Sequence, residues 1–264
     1  MQNEKDFRNV PLKRVGIKNL SWPVKVLVKG GGYQHTVAQV SCSVDLHRDK
    51  RGIHMSRFIE VLNRLEAITP NVFETILDDL METLEARRAH FEITFPYFVN
   101  KESPVTKKAS PLKVDCVVEA EKGEVFSFRI GVKVPVHTLC PCSKEISTYG
   151  AHNQRAIVEI YVATRKFVWF EDLVEIAERN ASSPLFTLLK RPDEKFVTEH
   201  AYENPKFVED VVRDIALELE KDKRISWYKV LVTSFESIHN HDAFACVEKG
   251  DFALGGDVSQ TWST

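Results

Sequence analysis

Two thiols and an imidazole fall within residues 140–155 of this chain. The run Leu139-Cys140-Pro141-Cys142-Ser143-Lys144-Glu145-Ile146-Ser147 is followed closely by Gly150-Ala151-His152-Asn153-Gln154-Arg155. Thiolate and imidazole are the ligand types that a borderline-soft ion such as Zn²⁺ prefers. A Cys-x-Cys spacing is short for a structural zinc knuckle, which takes two Cys pairs, and the chain has no second pair. A catalytic site takes three protein ligands and leaves one position for water, and Cys140, His152 and a carboxylate meet that count. An ordinary loop cysteine with a capping histidine is the plain alternative on spacing alone.

A second group lies in Phe235-Glu236-Ser237-Ile238-His239-Asn240-His241-Asp242. The His-x-His alternation can place both imidazoles on one face of an extended segment. Glu236 could orient a ring or relay a proton; the plain reading is a polar loop after a strand. Glu209 stands beside the apolar stripe of its helix, where a solvated surface glutamate is ordinary. Glu194, in Lys190-Arg191-Pro192-Asp193-Glu194-Lys195, reads as part of a charged loop. The Gly30–Gly32 run lacks the spacings of the phosphate-cradling glycine motifs.

The elements that must hold these residues can be read from periodicity. Val24–Val28 and about His35–Leu46 flank the three glycines as a hairpin. Helical spacing runs over Met55–Leu65 and Val72–Ala86, separated by Pro70-Asn71, with Asn71 placed to cap the second. Strand patterns return at His90–Val99 and Leu112–Glu119. The second half repeats this order, with strands at Val125–Val136 and Ala156–Thr164 and helices at Phe170–Ala181 and Lys206–Glu220. Strands at Ser226–Phe235 and about Asp242–Val247 close it. Two tandem β-β-α-α-β-β units are expected, at 24–122 and 123–264 after an N-terminal segment 1–23, in an α+β fold of antiparallel sheets with helices on the outer face.

The chain of 264 residues is 43% hydrophobic and 28% charged, with a net charge of −2. That balance argues against nucleic-acid binding by phosphate neutralisation. No apolar run is long enough to span a bilayer, and the charged N-terminus lacks the apolar core of a secretory signal. Five cysteines, an odd number, favour reduced thiols and a cytoplasmic home. Cys42, Cys116 and Cys246 sit in apolar strand-like runs and read as small buried hydrophobes.

The string TLCPCSKEIS followed by GAHNQR resembles the signature of the type IB GTP cyclohydrolase family, as do the RPDEK, FVED and ESIHNHDA segments. The resemblance covers essentially the whole chain. It implies the tunnelling fold, a homotetramer with active sites between subunits, and conversion of GTP and water to 7,8-dihydroneopterin triphosphate and formate, the first step of tetrahydrofolate biosynthesis. Carried over by motif, Cys140, His152 and Glu194 are the implied metal ligands, for Zn²⁺ or for Mn²⁺ or Fe²⁺. Glu209 resembles the purine-anchoring glutamate, Glu236 and His239 match residues beside the reacting C8, and Lys144 and Arg155 are candidates for the triphosphate. The rivals are an NADPH-dependent nitrile reductase of queuosine synthesis, which shares the fold, and a non-catalytic nucleotide-binding protein.

Overall fold

The structure of the protein, a computed structural model, describes residues 5–69 and 71–250. Its elements are β1 (Leu12–Leu27), β2 (Tyr33–Leu46), α1 (Met55–Leu62), β3 (Ala67–Ile68), α2 (Val72–Leu84), β4 (Ala89–Glu102) and β5 (Ala109–Lys122). They continue as β6 (Phe126–Leu139), α3 (Pro141–Ile146), β7 (Asn153–Thr164), α4 (Phe170–Arg179), β8 (Ser183–Pro184), α5 (Arg191–Glu203), α6 (Val208–Lys221), β9 (Ile225–Ser234) and β10 (Ala243–Gly250).

The strands form one mostly antiparallel sheet in the order β10-β9-β7-β6-β5-β4-β2-β1-β3, with β8 pairing β6. Apart from the two-residue β3 and β8, neighbours in the sheet are neighbours in the chain. The expected unit boundary near residue 122 falls in the tight β5–β6 connection, where the ladder runs from Asp115↔Lys133 to Lys122↔Phe126. One continuous sheet therefore spans both halves.

Period-two burial sets the layering. Phe91, Ile93 and Phe95 on β4, Val132, Val134 and Val136 on β6, and Val158, Ile160 and Val162 on β7 turn to one face. There they share a core with Phe58 of α1, Phe73 and Leu77 of α2, Leu173 of α4 and Ile215 of α6. Each of these large apolar side chains, fully buried, contributes roughly 1.5–3 kcal/mol. The opposite face carries cross-strand charge pairs instead: Arg129 beside Glu119, and Lys133 Nζ 2.9 Å from Glu159. Gly131 on β6 lies opposite Tyr161, and a Cβ there would stand 2.4 Å from the tyrosine ring.

Several sequence expectations are revised. β1 begins at Leu12, so residues 12–23, expected to precede the first unit, are the first three-quarters of a strand paired from Leu12↔Leu46 to Leu27↔Tyr33. Asn71 occupies the N-cap position of α2 but makes no side-chain cap bond; Pro70, read with it as the separator, lies outside the described residues, as do residues 1–4 of the expected N-terminal segment and 251–264 of the expected second unit. The charged run at 190–195 opens a helix, α5, rather than a loop. Cys42 and Cys116 are buried as expected, but Cys246, on edge strand β10, is exposed.

Candidate active site at the β6–β7 strand end

β6 stops at Leu139, and Cys140 turns the chain into α3 as its N-cap residue, with extended backbone at φ −70° and ψ 119°. Pro141 fits the first helical position, where an N–H would have no partner in any case. The Cys140 sulfur accepts a hydrogen bond from the Ser143 N–H at 3.4 Å. Ser143 Oγ donates to the Cys140 carbonyl at 3.2 Å and accepts from the His152 N–H at 3.1 Å. The Cys140 N–H in turn donates to the His152 carbonyl at 3.1 Å. Gly150, at φ +110°, supplies the left-handed backbone that returns the chain to His152. Cys140 and His152 are thus pinned side by side where the β6–β7 ladder ends, at Leu139↔Asn153.

β9 brings the third component. Pairing of Ala156 with Ser234 places Glu236 beside the start of β7. Ser234 Oγ donates to Glu236 Oε1 at 2.8 Å, and the Gln154 amide nitrogen approaches the same oxygen at 3.3 Å. His152 Nδ1 lies 3.0 Å from Gln154 Oε1 and 4.0 Å from Glu236 Oε2, with both ring and carboxylate largely covered. His239, exposed, faces His152 edge-on with ring centroids 6.5 Å apart. The segment 237–241 is a series of bends rather than extended chain. The His239 and His241 rings nevertheless stack at 5.1 Å.

The remaining expected residues are distributed around this end. Lys206 N–H donates to the Leu139 carbonyl at 3.1 Å, so the chain enters α6 beside Cys140. Glu209 follows in the first turn of α6, exposed, where a carboxylate is favoured by the helix dipole. Lys144 of α3 donates to the Tyr202 carbonyl at 2.5 Å and lies over that ring, which ties α3 to the end of α5. Arg155 is exposed and, by strand alternation, on the face opposite His152 and Gln154. Glu194 sits in the first turn of α5, half exposed, with Arg191 Nη1 3.2 Å from its carboxylate. Among the described residues, no group of three His, Cys, Asp or Glu side chains comes together to hold a metal ion. The donor chemistry of Cys140 and His152 still suits a borderline-soft divalent ion, and these two are the members of the expected set that share one strand end.

Sequence reasoning missed Gln154, Ser234 and Asp193. Asp193 is fully buried at the start of α5. Its carboxylate accepts from the Val105 and Thr106 N–H groups at 2.8 Å, from Thr106 Oγ1 at 2.6 Å and from the Lys190 N–H at 2.9 Å. Burial opposes its ionisation, yet the Thr106 hydroxyl and the three backbone donors outweigh that and hold its carboxyl well below the usual range. α5 is thereby fastened to the β4–β5 turn. The signal in the sequence was Asp193 three residues after Lys190, a spacing from which a carboxylate can reach back to the N–H of the residue that opens the helix.

The chain is 79% identical to the GTP cyclohydrolase FolE2 of Thermotoga neapolitana over 97% of its own length and 99% of that protein. It is 62% identical to the GTP cyclohydrolase FolE2 of Dictyoglomus turgidum over 95% of the chain and 97% of that protein. Among solved structures it is similar to a uricase from Bacillus fastidious, with a TM-score of 0.55 and 9% identity, covering 90% of this chain and 92% of that one. That likeness concerns fold alone and fits the tunnelling fold. The family model described as type I GTP cyclohydrolase FolE2 matches residues 1–245, and the chain belongs to that family.

Proposed function

We propose that this protein is a GTP cyclohydrolase, converting GTP and water to 7,8-dihydroneopterin triphosphate and formate for tetrahydrofolate biosynthesis. The observation that carries the reading is near-full-length identity to FolE2 enzymes, joined to the cluster of Cys140, His152, Gln154 and Glu236 at one strand end. In this reading Cys140, His152 and Glu194 hold a divalent ion, Zn²⁺ or Mn²⁺ or Fe²⁺. Such an ion, when bound, supplies a water of lowered pKa at neutral pH. For Glu194 to join, the first turn of α5 must exchange its Arg191 contact for the ion.

The chain's own residues account for the rest. Hydrolysis at C8 of guanine moves protons repeatedly as the five-membered ring opens and formate leaves. His239, exposed beside His152, and Glu236 are placed to carry them. Glu209, exposed at the start of α6, is proposed to accept two N–H bonds from the guanine edge, a donor pair that adenine lacks. Lys144 and Arg155 are proposed for the triphosphate, Lys144 by trading its Tyr202 contact for phosphate oxygens. The tunnelling fold further suggests two tandem β-β-α-α-β-β units that meet near residue 122, and a cytoplasmic homotetramer with sites between subunits.

The test is incubation with GTP and Mn²⁺ or Zn²⁺, following formate and the fluorescence of the oxidised pterin. Cys140→Ala should abolish both signals, and a fully active variant would sink the proposed site. Turnover that survives complete metal removal would sink the metal-dependent reading.

A further inference from the structure

Gln154, on β7, is the common partner of His152 just before that strand and of groups on β6, on β9 and on the segment after β9. Its amide oxygen lies 3.0 Å from His152 Nδ1 and accepts from Ser237 Oγ at 3.5 Å. Its nitrogen faces three acceptors: Ser234 Oγ at 3.1 Å, Glu236 Oε1 at 3.3 Å and Thr138 Oγ1 at 3.4 Å. The amide has one self-consistent orientation here. Reversed, its oxygen would face the Glu236 carboxylate, and two acceptors would stand together without a proton.

That orientation decides the state of the ring. An amide oxygen can only accept, so His152 Nδ1 must carry the hydrogen, and in a neutral imidazole the lone pair then belongs to Nε2. Glu236 Oε2, at 4.0 Å from Nδ1, is too far to take over the hydrogen bond. We propose that Gln154 is a positioning residue that locks His152 as the Nδ1–H tautomer, so that Nε2 is the nitrogen offered to a divalent ion. The same amide holds Glu236 beside the ring, so one side chain sets both the ligand and the proton carrier. This rests on the reading above that Cys140 and His152 hold an ion.

The experiment uses the full chain loaded with Co²⁺. Its affinity is measured by chelator competition, and the thiolate-to-cobalt absorption band reports Cys140. Gln154→Leu should weaken Co²⁺ binding about ten- to a hundredfold, the usual cost of losing an outer partner of a metal-bound histidine. Gln154→Glu restores an acceptor for Nδ1–H and should return most of the affinity, while turnover stays low because a carboxylate cannot donate to Glu236. If the leucine variant does not fold, Gln154→Asn, too short to span both partners, should show the same loss. Wild-type affinity in the leucine or asparagine variant, or a glutamate variant as weak as the leucine one, overturns the inference alone. A wild-type chain without the band, or a band that survives Cys140→Ala, overturns the metal reading and this inference with it.

Discussion

At the residue scale, the side chains proposed for the chemistry include one that the fold leaves unengaged. Glu209 is exposed in the first turn of α6, and no hydrogen bond or ion pair engages its carboxylate among the described residues. Glu209→Gln should therefore lower the unfolding midpoint only slightly, by the helix-dipole contribution of about 0.3–1 kcal/mol. It should lower kcat/KM for GTP about ten- to a hundredfold, the effect of losing a charged hydrogen-bond acceptor worth roughly 1.5–3 kcal/mol. Steady-state kinetics with a parallel melt checks both halves of that statement. Cys140, His152 and Glu236 were legible in the sequence because a thiol, an imidazole and an acid in short polar runs are conspicuous. Gln154 was not, because a glutamine on a strand is unremarkable until β9 brings Ser234 and Glu236 against it.

At the element scale, carboxylates in the first turns of helices fasten them to the strands and turns beneath. Asp193 anchors α5, the helix that also carries Glu194, to the β4–β5 turn. Its lowered pKa means that its contribution to stability is present above the unfolded value, about 3.9, and is lost as pH falls below it toward the folded value. Asp193→Asn should melt lower than the parent at pH 7, with the difference starting to narrow below about pH 4 as the unfolded carboxyl takes up its proton; a difference that is the same at about pH 2 as at pH 7 would refute that account. Glu171 of α4 plays a similar part. Its Oε1 accepts from the buried Tyr97 hydroxyl at 2.5 Å and from the Lys29 N–H at 2.9 Å. Its Oε2 is the buried side-chain polar atom left without a hydrogen bond among the described residues. Tyr97→Phe removes a donor from an already under-satisfied group and should cost about 1–3 kcal/mol in urea unfolding. α5 was illegible in the sequence for a physical reason: its buried residues are Asp193 and Ala201, so it shows no apolar stripe. Residues 12–23 were illegible for a related one, since that part of β1 is largely exposed and alternates weakly.

At the scale of the whole molecule, large apolar side chains remain exposed around the site. Ile146 is 84% exposed, Tyr149 97% and Ile238 64%. The proposed intersubunit sites would give these side chains a surface to be buried against. Tyr149→Asp with Ile146→Asp should reduce the mass seen in light scattering and lower turnover together. A variant pair that dissociates yet keeps full activity would show the site to be complete in one chain. The sheet and its helical layer were legible from apolar periodicity, because burial on one face imposes it. The continuity of the sheet was not, because the pairing of β5 with β6 leaves no mark beyond a short polar turn.

The order of that sheet bears on how the enzyme comes into being. Each long strand pairs with the one made just before it, so a nascent chain can add strands to a growing edge as it emerges. Cys140 and His152 meet once β7 has paired with β6. Glu236 joins them only when β9 is laid against β7, some eighty residues of synthesis later by residue number, or roughly 4–16 s at 5–20 residues per second. The thiol thus waits through part of its own translation without the groups that complete its surroundings.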